Sequence, residues 1–291
     1  MSWVDTLTFE QYSCFNKDDT RIKYDTNYTS LYVVMTRNCN AKCPFCEFRG
    51  NIDTVDTNIF KRYFAELLTK CVVTTVHFTG GEPSLEKDTL FEICKYIKEV
   101  SPHTVTSVNT NGIYLKELVE CAYIDNVALS RHHYEDDINQ QLFGTQSIAT
   151  LEDIRNLTDK SKLHVSCNLM KGYIDSKEEL QRYLDTLGSV EIQDVGLVGL
   201  MSVNDFCKTH YIDILDIDVA SLDKIINNRR FYKKVEDKKV CECLNFLYTS
   251  KDYTLMSVYY RHAIDSKLSG SAFLVYENNH IKKGFNGDNL I

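Results

Sequence analysis

Three cysteines, Cys39, Cys43 and Cys46, fall within eight positions of one another in the stretch VVMTRNCNAKCPFCEFRG, residues 33–50. One loop can wrap thiolates at this spacing around a single centre, which makes metal or redox chemistry the first explanation for them. A fourth local thiolate would close a structural zinc site, but the next cysteine, Cys71, falls at a predicted helix end just before the second strand, on the opposite side of the fold. The set therefore reads as three ligands with an open position. An iron–sulfur cube held by three cysteines has that property, because one iron stays free to take a further ligand.

The elements that must position this loop show as an alternation of β-branched apolar runs with amphipathic segments. Strands are predicted at LYVVMT (31–36), VVTTVHF (72–78), TVTSVNT (104–110), NVALS (126–130), LHVSCNLM (163–170) and VEIQDVGLV (190–198). Between them, TNIFKRYFAELLTK places Ile59, Phe60, Tyr63, Phe64, Leu67 and Leu68 on one helical stripe, and LEKDTLFEICKYIKEV does the same with Leu90, Ile93, Cys94, Ile97 and Val100. YLKELVECA, SIATLEDIRNLT and SKEELQRYLDTL continue the pattern, the last with Ser176 and Glu179 at capping-box spacing. Six strands, each followed by a helical segment, imply an α/β fold of parallel strands with right-handed crossovers, either an open doubly wound sheet or a partial barrel. Chemistry in such folds gathers at the carboxyl ends of the strands. The polar and glycine-rich stretches sit there: TRNCNAKCPFC after the first strand, TGGEP after the second, TNG after the third and SRHH after the fourth. Packing alone asks for no such residues at strand ends.

CxxxCxxC with Phe45 ahead of its last cysteine, GGEP at 80–83 and TNG at 110–112, in that order on consecutive strand ends, resemble the radical S-adenosylmethionine (radical SAM) superfamily, and in general layout its molybdopterin-pathway cyclase-like members. The resemblance implies a partial (β/α)6 TIM-type barrel with a small C-terminal cap or auxiliary-cluster region. It further implies a [4Fe–4S] cluster on Cys39, Cys43 and Cys46 whose open iron chelates S-adenosylmethionine (SAM). An electron from that cluster would cleave SAM to methionine and a 5′-deoxyadenosyl radical, which takes hydrogen from the substrate. An electron donor such as flavodoxin or ferredoxin is implied as well. Carried over position by position, Gly80, Gly81 and Glu82 would offer backbone groups to the methionyl amine, with Pro83 stiffening the turn. The Glu82 side chain is expected as a structural hydrogen bonder rather than a general acid. Phe45, Thr110, Ser130 and Asn168 complete the expected SAM-binding set, the last three as polar partners for its ribose or carboxylate.

Where many family members carry a serine, an apolar residue and an aspartate, this chain has Ser130, Arg131, His132, His133 and Tyr134. Arg131 and His132 are the candidate catalytic residues, reaching into the barrel mouth toward an anionic group; a polar loop with one histidine held by a backbone carbonyl accounts for them equally well. Cys14, Cys71, Cys94, Cys121 and Cys167 stand singly in or beside apolar segments and read as small core hydrophobes. Cys207, Cys241 and Cys243 follow the sixth strand and are candidate ligands of an auxiliary iron–sulfur cluster, although their spacing departs from the CxxC-based pattern of the cyclase-like members. Two buried cysteines and one exposed one are the competing account. DYTLMSVYYRHA and GSAFLVYENNHIKKG read as two strands, the second turning at ENNH, and are expected to form a small antiparallel cap over the barrel mouth. Arg261 and His262 would reach inward from it or belong to a polar outer face.

Composition sets the outer limits. The chain has 291 residues, 43% hydrophobic and 25% charged, which suits one large globular domain or one domain with a smaller appendage. The expected division is an N-terminal extension over 1–29, the barrel over 30–203 and a C-terminal region over 204–291. A formal charge of −8, with the basic residues of NNRRFYKKVEDKKV interleaved with acids on what reads as a solvated face, argues against binding to bulk nucleic acid. No apolar run is long enough for a membrane span, and MSWVDTLTFEQYSCFNKDD shows neither a basic leader nor an apolar signal core, so a cytoplasmic location is expected. Eleven cysteines, an odd count with a clustered trio, argue against a disulfide framework. The expected function is a radical SAM enzyme that abstracts hydrogen from a small polar metabolite or nucleotide, with peptide modification as the second reading. A non-enzymatic zinc or iron–sulfur module is the rival of another class, and it has no use for GGEP and TNG at successive strand ends.

Overall fold

The computed structural model describes residues 28–291 apart from 49, 51, 53, 223–224, 236–237, 262–272 and 286, with the backbone alone at 28, 215, 220, 225–235, 238–245 and 261. The six expected strands are β1 (Tyr28–Thr36), β2 (Val72–Gly80), β3 (Val105–Thr110), β4 (Asn126–Ser130), β5 (Leu163–Leu169) and β6 (Asp194–Gly199). They run parallel and in sequence order. The sixth begins later than its apolar run suggests. Helix α6 (Lys177–Ser189) continues up to it, and Glu191 takes a left-handed φ of 63°, so residues 190–193 are the connecting turn.

The helices carry the stripes that the spacing demands. In α1 (Thr57–Leu68) the Asp56 carboxylate caps the first turn by accepting from the amides of Asn58 and Ile59. Its residues Phe60, Tyr63, Phe64 and Leu67 are buried, with Phe60 stacked on Phe64 and edge-on to Tyr276. In α2 (Lys87–Val100), Leu90, Ile93, Cys94 and Ile97 are buried, but Val100 ends the helix and is exposed. Next come α3 (Leu115–Glu120), then α4 (Asp136–Phe143), which the apolar pattern did not announce, and the short α5 (Leu151–Arg155), closed by a reciprocal Thr150–Asp153 capping box. Ser176 caps α6 by accepting from the Glu179 amide.

One buried core joins Val33, Val76, Val108, Val127, Val165 and Val195 of the strands to Phe64, Ile93, Leu118, Ile154 and Leu184 of the helices. The helices therefore cover a single face of the sheet. Each such side chain contributes about 1.5–3 kcal/mol on burial, so this layer holds the fold. Among the described residues the other face is free of helices and more polar. Along β5, Leu163, Val165, Cys167 and Leu169 are buried, while His164, Ser166 and Asn168 alternate with them and stay half-buried.

The tail departs from expectation. Among the described residues it builds no separate cap: β9 (Leu255–Arg261) pairs parallel to β6, and β10 (Phe273–Glu277) pairs parallel to β1, at opposite sides of the six. Eight parallel strands thus stand in a row, flanked by antiparallel β11 (His280–Lys283) at one edge and by β8 (Lys238–Thr249) and β7 (Ile225–Val235) at the other, and the sheet does not close. The reason lies in the apolar faces. Met256, Val258 and Tyr260 of β9 and Leu274 and Tyr276 of β10 enter the same core as the helices, which a detached cap could not offer them. The turn at ENNH is where the sequence puts it, with Asn278 and Asn279 both left-handed between β10 and β11. Much of NNRRFYKKVEDKKV, expected as a solvated face, is strand β7 and the start of β8. Arg261 ends β9, and Cys14 and His262 lie outside the described residues.

Candidate active site

The cysteine loop leaves β1 at Thr36 and is fastened to the end of β2. The Gly81 amide donates to the Thr36 carbonyl (2.7 Å) and the Glu82 amide to the Asn38 carbonyl (2.8 Å). A Cβ on Gly80 would stand 2.2 Å from the Thr36 oxygen, and one on Gly81 2.2 Å from the Asn38 oxygen. Gly80 also holds a φ of 131°. Both glycines are there because two backbones touch. With those amides bonded to the loop, an ammonium group at this turn would be received by carbonyl oxygens.

Glu82 is buried and ties three strand ends together. Its carboxylate accepts from the Ser84 amide (3.1 Å), the Ser84 hydroxyl (2.6 Å), the Thr110 hydroxyl (2.8 Å) and the Asn111 amide (2.7 Å). Burial pushes this carboxyl above its ordinary range, while the four donors pull it back. Pro83 opens the single 3₁₀ turn that follows. Thr110 gives its hydroxyl hydrogen to Glu82 and accepts from the Gly112 amide (2.9 Å), so it serves this network and has no donor left for a ligand.

The loop is also held from the far side. The Lys42 amide donates to the Phe143 carbonyl (2.7 Å), and Asn204, just before the short helix α7 (Asp205–Thr209), donates to the Pro44 carbonyl (3.0 Å). Phe45 packs edge-on to His132 (4.9 Å) and beside Phe143 and Phe206, in a small apolar cluster with Leu142, Met170, Leu200 and Cys207. Cys207 is buried in this cluster, where desolvation raises its thiol pKa, and it donates to the Phe45 carbonyl (3.6 Å). Cys241 and Cys243 lie on β8, described by backbone alone.

The Cys39 thiol is exposed, Cys43 and Cys46 are half-buried, and the Cys46 amide closes a turn onto the Cys43 carbonyl (3.3 Å). Burial raises the pKa of the Cys39 thiol, and the neighbouring Cys46 adds to the cost of ionising it. Among the described residues no three His, Cys, Asp or Glu side chains converge tightly enough for a single ion. A four-iron cube asks for less convergence, because each thiolate binds a different iron, and three thiols on one backbone-braced loop fit it.

Arg131 does not face the barrel mouth. Backbone pairing carries β4 one residue past Ser130, the Arg131 amide donating to the Ser166 carbonyl (2.9 Å), and strand alternation then turns Arg131 to the helix side. There its guanidinium is 1% exposed, paired with Asp136 (2.7 Å) and donating to the Tyr134 carbonyl (2.9 Å). His132 is stacked on Phe143 (5.1 Å), and its Nδ1 accepts from the Asn168 amide (3.0 Å). Burial, with the Arg131 charge beside it, lowers its pKa to about 3. The folded chain therefore binds one proton fewer than the unfolded chain between pH ~3 and ~6.5, and stability is lost as pH falls through that window, by at most about 1.4 kcal/mol per pH unit. Denaturant titrations from pH 7 to pH 4 should show this slope in the wild type and a shallower one in His132→Gln, whose side-chain oxygen can still accept from Asn168. Equal slopes would show that His132 is not the titrating group. Ser130 and Asn168 remain at the helix-free face, half-buried at adjoining strand ends.

One constellation on that face escaped the sequence. The Tyr259 hydroxyl on β9 lies 2.9 Å from His164 Nε2 on β5, with the rings stacked, and His164 Nδ1 lies 3.1 Å from the Asp194 carboxylate on β6. A proton on Nδ1 facing Asp194 leaves Nε2 to accept from Tyr259. Gly196 lies beneath them, and a Cβ there would come within 2.8 Å of both rings. A glycine in mid-strand was the available signal.

The fold is an open, mostly parallel α/β sheet whose cysteine loop and Gly80–Glu82 turn stand at the carboxyl ends of its strands. Residues 33–187, just over half the chain, match the Radical SAM superfamily model. A probable GTP 3′,8-cyclase of Saccharolobus solfataricus is 24% identical over 215 residues, covering 69% of this chain and 68% of that protein. Another, of Thermococcus kodakarensis, is 27% identical over 158 residues, covering 51% and 50%. Among solved structures, Streptococcus suis SuiB bound to the precursor peptide SuiA aligns with a TM-score of 0.52 at 19% identity, covering 62% of this chain and 42% of that one. Native anSMEcpe with bound AdoMet and Cp18Cys peptide aligns at 0.52 and 14%, covering 65% and 56%. At such identities the two structures speak for the fold.

The chain belongs to the radical SAM superfamily. Its members are enzymes that use a [4Fe–4S] cluster and SAM. Among the described residues no helix is long and apolar enough to cross a membrane.

Proposed function

We propose that Cys39, Cys43 and Cys46 hold the SAM-cleaving cluster and that the enzyme abstracts hydrogen from a small polar metabolite, with a nucleotide as the first class to test. The observation that carries the substrate class is the helix-free face. It presents hydroxyl, amide and imidazole groups at Ser130, His164, Ser166 and Asn168, and Ser130, Ser166, Gly196 and Tyr259 stand in register across four neighbouring strands. At roughly 4.8 Å per strand this row spans about 14 Å, the reach of a nucleoside-sized molecule. Gly196 makes room for the stacked His164 and Tyr259 rings, and the Tyr259–His164–Asp194 chain can hold a substrate hydroxyl or amine and take up its proton.

When bound, the cluster supplies the electron that breaks a carbon–sulfur bond of SAM. The chain supplies position: the carbonyls near Gly80 and Gly81 receive the amine, and Ser130 and Asn168 offer polar contacts. The names of the curated relatives make GTP the first probe. Anaerobically reconstituted enzyme with SAM, a reductant and uniformly deuterated GTP should place deuterium in 5′-deoxyadenosine. Deuterium from none of the four ribonucleoside triphosphates, but from a deuterated peptide pool, would replace this reading with peptide modification.

A further inference from the structure

We infer that the Asn111 side chain sets the reduction potential of the cluster by donating an N–H···S hydrogen bond to Cys39, an inference that rests on the proposed assignment of Cys39 as a ligand. Asn111 is buried, and its amide group is oriented by its neighbours rather than by choice. Its Oδ1 accepts from the Ile113 amide (3.2 Å), which turns the NH2 toward the cysteine loop. One hydrogen of that NH2 goes to Asn40 Oδ1 (2.8 Å), and Asn40 in turn donates to the Ser147 carbonyl (2.5 Å). The other hydrogen has Cys39 Sγ before it at 3.9 Å. The Ala41 amide approaches the same sulfur at 3.3 Å, so two N–H dipoles converge on one thiol. The Asn111 backbone is fixed independently, its own amide being bound by Glu82.

N–H dipoles aimed at a ligand sulfur stabilise the more negative, reduced form of an iron–sulfur cluster and raise its potential. An electron is then easier to place on the cluster that must pass it to SAM. Bracing the loop is a separate job, done by Asn111 through Asn40, and it affects whether the cluster is held rather than how readily it is reduced.

The test is redox potentiometry of the reconstituted protein, following the electron-paramagnetic-resonance signal of the reduced cluster, with iron measured in every sample. Asn111→Ala should bind iron with a midpoint shifted to more negative potential. Asn111→Asp keeps the acceptor for Ile113 but turns a carboxylate oxygen toward the sulfur, and should shift the midpoint further the same way. Asn40→Ala removes the brace while leaving the amide beside Cys39, and should keep the wild-type midpoint. Wild-type midpoints in both Asn111 variants, or an equal shift in Asn40→Ala, would overturn the inference and leave Asn111 a brace. A wild-type chain that takes up no iron would instead refute the cluster assignment, and this inference with it.

Discussion

Replacing Cys39, Cys43 and Cys46 together by alanine should remove about four irons per chain and abolish 5′-deoxyadenosine formation from SAM. A cube bound through three thiolates has no other anchor on this loop, so the expected loss of activity is complete rather than graded. The fold should survive the change, because Cys39 is exposed, Cys43 and Cys46 are only half-buried, and the backbone bonds that brace the loop involve none of the three side chains. Iron and sulfide per chain after anaerobic reconstitution, with 5′-deoxyadenosine assayed alongside, check this. A variant that keeps full SAM cleavage would refute the assignment. The same measurement weighs Cys207, Cys241 and Cys243: a wild type with about eight irons that falls to about four would assign them a second cluster, whereas about four falling to none would leave them to packing.

Glu82→Ala should be the most damaging single change at the site that touches no thiol. It leaves four donors, from Ser84 twice, Thr110 and Asn111, without their shared acceptor in a buried place. Each orphaned donor costs about 1–3 kcal/mol in isolation, but the four relax together, and a total of about 3–5 kcal/mol is expected. In a chain of this size that lowers the melting temperature by on the order of 10 °C. Iron loading should fall as well, since the Glu82 turn fixes the start of the cysteine loop. Glu82→Gln keeps one acceptor and turns an NH2 against donors, so its loss should be smaller. Thermal unfolding of the anaerobic protein decides the matter, and an alanine variant melting within a degree of wild type would show that the network does not hold the site.

Much of this could be read without coordinates. Six runs of β-branched residues became six strands because each is bounded by turn residues and followed by an amphipathic stripe; the boundary of β6 moved because Glu191 takes a left-handed turn that apolar content does not reveal. Helix α4 stayed hidden because its eight residues carry two acids in the first turn and only three apolar residues, Ile138, Leu142 and Phe143, of which Ile138 is half-buried. The charged stretch around residues 227–240 concealed strands for a related reason: alternating charge marks exposure and says nothing of backbone pairing.

By itself the sequence determined which residues stand at the ends of strands, since covalent spacing and the periods of helix and strand are local properties. It thereby placed the three thiols, GGEP, TNG and Ser130 on one rim. Only the tertiary structure decided where side chains point and which distant strands become neighbours. The direction of Arg131 depends on one further residue of pairing between β4 and β5, because a step of one residue turns a side chain to the opposite face. Asn111 meets Cys39 across 72 residues, and Tyr259 meets His164 across 95. β9 and β10 parted to opposite sides of the sheet because each buries its apolar face against a different part of the helix layer, and that choice belongs to the assembled core rather than to either strand.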